Sequence, residues 1–94
     1  MRYTFDYSKE KDLVLKETRN VSFKDVIEAY KQGKKLADLE NKSKGRTNQG
    51  LLVVNIRKYA FVAPYVIDEN RKKVFLKTVY PSRKLTKKHL LKQT

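Results

Sequence analysis

The stretch Leu51–Ile67, LLVVNIRKYAFVAPYVI, decides the fold. Leu51–Ile56 is a strongly apolar β run, and Tyr59–Ile67 is a second one. Only Arg57-Lys58 separates them, which predicts a tight reversal between neighbouring antiparallel strands. Pro64 has no amide donor, so its strand is expected to bulge there or to lie at an edge. Asp68–Lys73 reads as the next turn and Val74–Tyr80 as the last strand. On the other side, Asn41–Gly50 is a polar loop, and Lys34–Glu40 is a strand carrying Leu36 and Leu39. Short connections make these strands a meander.

Helical signals sit at the two ends. Phe23, Val26, Ile27 and Tyr30 recur at helical spacing and form one apolar stripe, read as core. Ser22 can cap this helix through the amide of Asp25, and Asp25 adds negative charge to the first turn. Val21 and Val26 have the spacing of a hydrophobic staple, and Gly33 supplies the stop. Arg2–Asp6 reads as a first strand. A helix over roughly Lys9–Thr18 follows, capped by Asp6 or Ser8, with Leu13 and Val14 turned inward. Leu85–Lys92 reads as a short C-terminal helix with Thr86 as its cap. The expected fold class is α+β: one small domain, 1–94, with two N-terminal helices on one face of a twisted antiparallel sheet of about four strands. The other sheet face is expected to be free, as a place for a partner.

Charge is the dominant compositional signal. The 94 residues carry 23 Lys+Arg against 10 Asp+Glu, a net charge of +13. Residues 1–40 are nearly balanced at +1, whereas residues 41–94 hold 14 basic and 2 acidic residues. A field so one-sided favours a polyanion as partner, either nucleic acid or an acidic protein. With no cysteine, disulfides, thiolate chemistry and cysteine zinc sites drop out. The single histidine, His89, and the three isolated glycines argue against a zinc centre and a phosphate-binding glycine loop. Asp68-Glu69 sits in a polar turn, and the basic half lacks the clustered carboxylates of a metal-dependent nuclease. No metal and no cofactor are expected. The N-terminus lacks an apolar signal core and no segment reaches the length of a membrane span, so a cytoplasmic protein is expected.

Cations, hydroxyls and phenols remain. RNA brings its own nucleophile, the 2′-hydroxyl. An enzyme need only align it, take its proton, neutralise the charge developing on phosphorus and protonate the leaving oxygen. The segment Lys77–Lys84, KTVYPSRK, suits such work. Arginine brackets a phosphate through paired hydrogen bonds. Lysine serves as a base where neighbouring cations lower its pKa. Tyrosine donates a proton or stacks on a base. Lys77, Tyr80, Ser82, Arg83 and Lys84 thus form a candidate constellation, with Pro81 fixing the backbone and Ser82 opening a helix start. Strand alternation would put Lys77 with Val79 on one face and Thr78 with Tyr80 on the other. The plain alternative for the same residues is a turn and a helix start with solvated cations.

Three segments resemble a known family. KETRNVSFKDVIEA, Lys16–Ala29, resembles the K-H-G-V-S-F-E-E-A segment of BrnT-type ribonuclease toxins of bacterial toxin–antitoxin systems. The leading FDYSKEKD, Phe5–Asp12, resembles that family's F-E-W-D-x-x-K opening. FLKTVYPSRKLTKKHL, Phe75–Leu90, resembles its closing I-I-S-A-R-K-A-T-R-R-E, with LLVVNI as the matching central strand. The resemblance implies a compact RelE-like fold, metal-independent cleavage of messenger RNA and arrest of translation. It also implies an acidic cognate antitoxin with a DNA-binding half, operator DNA bound through the complex, and a homodimer within that complex. Arg83 and Lys84 match the family's R-K, and Ser22 and Phe23 its S-F. Arg19 stands where the family has histidine, Thr18 where it has lysine, Pro81 where it has serine and Ser82 where it has alanine. Arg83, Arg19, Tyr80 and Lys77 are thereby the candidates for catalysis, and Lys16, Ser82, Lys84, Lys87 and Lys88 for RNA binding. The competing reading is a non-catalytic basic module that binds nucleic acid or an acidic protein. A third is a family member retained only for antitoxin or DNA contact.

Overall fold

The computed structural model describes residues 3–41 and 48–91. In chain order the elements are β1 (Thr4–Asp6), α1 (Lys9–Arg19), α2 (Phe23–Lys31), β2 (Lys35–Asn41), β3 (Gln49–Ile56), β4 (Tyr59–Asp68), β5 (Lys73–Leu76), β6 (Tyr80–Pro81) and α3 (Arg83–His89). The chain is α+β, as its sequence patterns imply. No helix among the described residues is long and apolar enough to cross a membrane.

β3 and β4 pair antiparallel from Gln49↔Val66 to Ile56↔Tyr59, with Arg57-Lys58 as the whole connection. Their alternation builds two cores. Leu52, Val54, Ile56, Phe61, Ala63 and Tyr65 pack with Leu15 of α1 and with Phe23, Val26 and Ala29 of α2. Val53, Ala60 and Val62 form a smaller cluster on the opposite face. β2 lies antiparallel to β3 and β5 antiparallel to β4. β1 pairs parallel with β5, giving the order β1-β5-β4-β3-β2, with β6 on β4. The sheet is therefore mixed and six-stranded, not an antiparallel sheet of about four. The three residues of β1 carry no local signal for a partner so distant in sequence.

α2 forms as its local signals require. Ser22 Oγ accepts from the Asp25 amide at 3.1 Å, and Asp25 Oδ2 accepts from the Ser22 amide at 3.0 Å, a closed capping box. Val21 and Val26 are both buried. At the other end Gly33 has φ 78°, with Gly33 N–H on Tyr30 O and Lys34 N–H on Ala29 O. That is a Schellman stop, which needs a left-handed residue at this position. Tyr30, expected in the core stripe, is 42% exposed at its edge.

α1 is capped by Ser8, whose side chain accepts from Lys11 N–H. Its rotation differs from expectation: Leu13 and Val14 face solvent, while Asp12 and Leu15 are buried. The reason is polar. Phe23 opens α2, so its amide has no partner inside the helix. Asp12 Oδ1 accepts that amide at 2.8 Å, which turns the Asp12/Leu15 side of α1 inward.

The strand expected over Val74–Tyr80 is broken in two. Leu76 pairs with Tyr65 and Tyr80 with Val62, so three residues, Lys77–Val79, stand against two, Ala63 and Pro64. A strand residue presents its N–H and C=O to the same antiparallel neighbour. Pro64 O accepts from Lys77 N–H at 2.8 Å, so the donor that Pro64 lacks is missing on this side. The bulge expected from Pro64 thus falls in the facing chain. The extra residue reverses the alternation: Leu76 and Val79 both enter the main core, and Tyr80 packs on the opposite face. The expected grouping of Lys77 with Val79 and Thr78 with Tyr80 does not hold.

α3 also differs from expectation. It starts at Arg83, two residues before the expected Leu85, and it is capped by Ser82, whose Oγ accepts from Leu85 N–H at 3.2 Å. Of its expected range, Leu85–Lys92, Lys92 lies outside the described residues. Thr86, expected as the cap, is 2% exposed inside the helix. Its hydroxyl accepts from Ala60 N–H at 2.8 Å and donates to Ser82 O at 2.7 Å. Leu85 and Tyr80 cover Val53, Ala60 and Val62. The second sheet face is therefore partly occupied by α3 rather than free.

The loop expected over Asn41–Gly50 contributes Gln49 and Gly50 to β3, and its residues 42–47 lie outside the described residues. Gly50 faces Tyr65 across the ladder, and the Tyr65 ring crosses it to donate to Asp38 Oδ1 at 2.7 Å.

Candidate functional site

The candidate residues converge on the end of the sheet where β3 turns into β4. α1 ends with Arg19, whose Nη1 donates to the carbonyl of Val79 at 2.8 Å. Val79 immediately precedes β6, and β6 pairs its Tyr80 and Pro81 with Val62 and Phe61. The next residue, Ser82, donates its amide to Ala60 O at 2.9 Å, and α3 begins there. A segment of four residues, Val79–Ser82, is thus held by α1 through Arg19 and by the start of β4. α1 approaches it from the main-core face, and α3 leaves it on the other.

Arg83, Lys84, Lys87 and Lys88 are all exposed on α3. Its inner side, Leu85 and Thr86, is fixed to the hairpin. Spacing of one and four residues gives these four cations a common outward strip. Ser82 acts as the helix cap, its amide and carbonyl are both bonded within the fold, and its hydroxyl still has its own proton to donate. Tyr80 is half-buried against the cluster under α3. Lys77 is exposed within the bulged segment. Lys16 lies one turn before Arg19, with its ammonium 3.4 Å from Asp12 Oδ2. The fold therefore gathers Arg19, Tyr80, Ser82, Arg83 and Lys84 around Val79–Ser82. Lys77 stands just upstream, Lys16 is drawn toward Asp12, and Lys87 and Lys88 extend the strip along α3.

Two basic residues without an assigned site role belong to the same end. Arg57 and Lys58 form the β3–β4 turn, and Arg57 Nη2 donates to Asn20 O at 2.6 Å. Asn20 is the left-handed C-cap of α1, directly after Arg19. The sequence does hold a signal for them: a two-residue hairpin turn ordinarily takes Asn-Gly or Asp-Gly, and here it is Arg-Lys.

Asp25 and Glu28 of α2 line a cleft together with Arg57. Among the described residues the ion pairs are Lys16 with Asp12 and Arg71 with Asp68. Asp68 closes β4 at its far end, about 30 Å from Lys58 at the usual rise of a strand. Glu69 beside it accepts from the Tyr3 hydroxyl at 2.6 Å, and that hydrogen bond raises the Tyr3 pKa. Asp68 and Glu69 thus lie at the opposite end of β4 from the Arg57-Lys58 turn, whereas Asp12 sits beside Lys16. Among the described residues no group of three or more histidine, aspartate or glutamate side chains is placed to hold a metal ion. What the arrangement can do is bind a chain of phosphates along α3 and present guanidinium groups at its beginning.

Comparison with protein-family models, curated proteins and solved structures finds no match to this chain.

Proposed function

We propose that this protein is a metal-independent endoribonuclease of RelE-like type that cleaves messenger RNA, the toxin half of a toxin–antitoxin pair. One observation carries the reading. Arg19, singled out with Arg83 by sequence, reaches across the fold to the carbonyl of Val79, four residues from Arg83. Arg19 is thus bonded to the strand-to-helix corner from which Arg83 follows. In this reading Arg83 takes the scissile phosphate and the charge that grows on it, and Lys84, Lys87 and Lys88 hold the flanking backbone. Arg19, fixed through one nitrogen, has further N–H donors for a phosphate oxygen on the α1 side of the corner. Tyr80 or Lys77 moves the proton, and Ser82 donates its hydroxyl to a phosphate oxygen. Lys16 adds positive charge at the approach. No cofactor is needed, because the nucleophile is the substrate's own 2′-hydroxyl. The partners are RNA, an acidic antitoxin whose charge offsets the basic end, and operator DNA through the complex; the setting is cytoplasmic.

The test is incubation of the purified protein with RNA in excess chelator. Cleavage leaving 2′,3′-cyclic phosphate or 3′-phosphate ends is expected, and growth should stop on induced expression. Arg83→Ala should abolish both with its melting temperature unchanged, because Arg83 is exposed and makes no ion pair among the described residues. Intact RNA and unhindered growth would sink the proposal.

A second reading is favoured by the engagement of Ser82 and Tyr80 in the fold: a basic module that grips nucleic acid or an acidic protein without cutting. It requires steeply salt-dependent binding with no strand scission.

A further inference from the structure

The turn between β3 and β4 is built against the preferences of its own residues. Arg57 and Lys58 both take positive φ, 53° and 67°. A two-residue turn with positive φ at both positions has the twist that suits a hairpin, but glycine and asparagine adopt it far more readily than arginine or lysine. A third left-handed residue, Asn20 at φ 54°, supplies the carbonyl that accepts from Arg57. Lys72, at φ 56° in the β4–β5 turn, is the other such non-glycine residue among those described, but only at Arg57-Lys58 do two stand in succession, on side chains that make no core, which points to a use for those side chains. Both are exposed cations and neither forms an ion pair among the described residues, with Asp25 and Glu28 lining the cleft beside Arg57 on its α2 side. The Arg57–Asn20 hydrogen bond ties the turn to the residue after Arg19. Ala60, two residues after Lys58, carries the start of α3 through the Ser82 and Thr86 bonds.

We propose that the Arg57–Lys58 turn is a phosphate-binding tip that extends the RNA track of α3 around the end of the sheet, so that single-stranded RNA is held on both sides of the Val79–Ser82 corner. This rests on the RNA-cleaving reading above. Arg57 has a double role: one nitrogen braces the turn on α1, and the remaining donors are left for a phosphate oxygen. Lys58 is a point charge at the tip. The chemistry recognised is the sugar–phosphate backbone, with no base contact implied.

The experiment uses a short 2′-O-methylated single-stranded RNA, which lacks the nucleophile, so that binding is read without cleavage. Lys58→Gly keeps the Arg57 brace, and Arg57→Asn with Lys58→Gly installs the preferred turn residues. Each loss of one phosphate contact should flatten the plot of log K against log salt by about 0.7. The single variant should therefore lose about 0.7 of slope and the double variant about 1.4. Lys58→Gly should at the same time melt higher by a few degrees, because a strained residue has been relieved. Weaker, less salt-dependent binding by a more stable protein is the expected result. Variants that bind with the slope of the unaltered protein overturn the role of the turn. A lower melting temperature for Lys58→Gly overturns the premise of a conformation held for its side chain. An unaltered protein that does not bind the RNA at all overturns the RNA reading itself, a failure distinct from the others.

Discussion

Thr86→Val tests how the basic helix is held. The substitution keeps the shape of the side chain and removes its hydroxyl, which accepts from Ala60 N–H and donates to Ser82 O. Ser82 O keeps a second donor, Thr86 N–H at 3.0 Å, so its loss is small. Ala60 is fully buried, and its amide would be left unpaired. An unsatisfied buried donor costs about 1–3 kcal/mol, so a loss of about 2 kcal/mol is expected. In a domain of this size each kcal/mol shifts the melting temperature by roughly 4–8 °C, so Thr86→Val should melt about 10 °C lower. Thr86→Ser keeps both bonds and loses one methyl group, costing about 0.8 kcal/mol before any cavity term. Thermal melts of the three proteins check the ranking, and hydrogen exchange at the Ala60 amide locates it. If Thr86→Val melts with the unaltered protein, or if Thr86→Ser is the worse of the two, the hydroxyl is not what fastens α3.

Two further outcomes follow from single contacts. Gly50→Ala would bring a Cβ within 2.5 Å of the Tyr65 hydroxyl, so the ring must leave Asp38. A loss of about 1–3 kcal/mol is expected in urea unfolding, and Tyr65→Phe, which gives up only the hydroxyl, should lose about 1 kcal/mol. Arg19→Ala should reduce RNA cleavage and also lower stability by about 1 kcal/mol, since its guanidinium holds the Val79 carbonyl, whereas Arg19→Lys restores charge without the planar donor fork. Cleavage measured beside the melting temperature separates these two losses.

The parts legible in the sequence are those set by neighbours along the chain. α2 was readable because its stripe, its Ser22–Asp25 box and its Gly33 stop are all local. The β3–β4 hairpin was readable from two apolar runs around two polar residues. The failures each have a partner far away. α1 turns on Asp12 finding the amide of Phe23, which no periodicity in α1 encodes. The last strand breaks because of a proline on the strand beside it. β1 pairs with β5 only after the helices have carried the chain across the sheet. The start of α3 is ambiguous in the sequence because Ser82 and Thr86 are both good caps, and Ala60 decides between them by engaging the Thr86 hydroxyl. Of the candidate site residues, Arg83 is pointed to by its match to the resembled family's R-K, and Arg19 by its position where that family has histidine. For Arg57 and Lys58 the sequence carries only a turn signal and their poor fit to that turn.

The segment Lys77–Val79 looks like a surface connection, a kind of segment that ordinarily accepts insertions and deletions. Here its length works as a phase setting. One residue more or fewer would exchange the sides on which Val79 and Tyr80 emerge, and the helix that follows would be launched toward the face already filled by α1 and α2. Substitutions at the exposed Lys77 should be tolerated structurally, whereas a single-residue deletion should not. What this segment transmits to the basic helix is parity rather than chemistry, and it was set by a missing amide on the neighbouring strand.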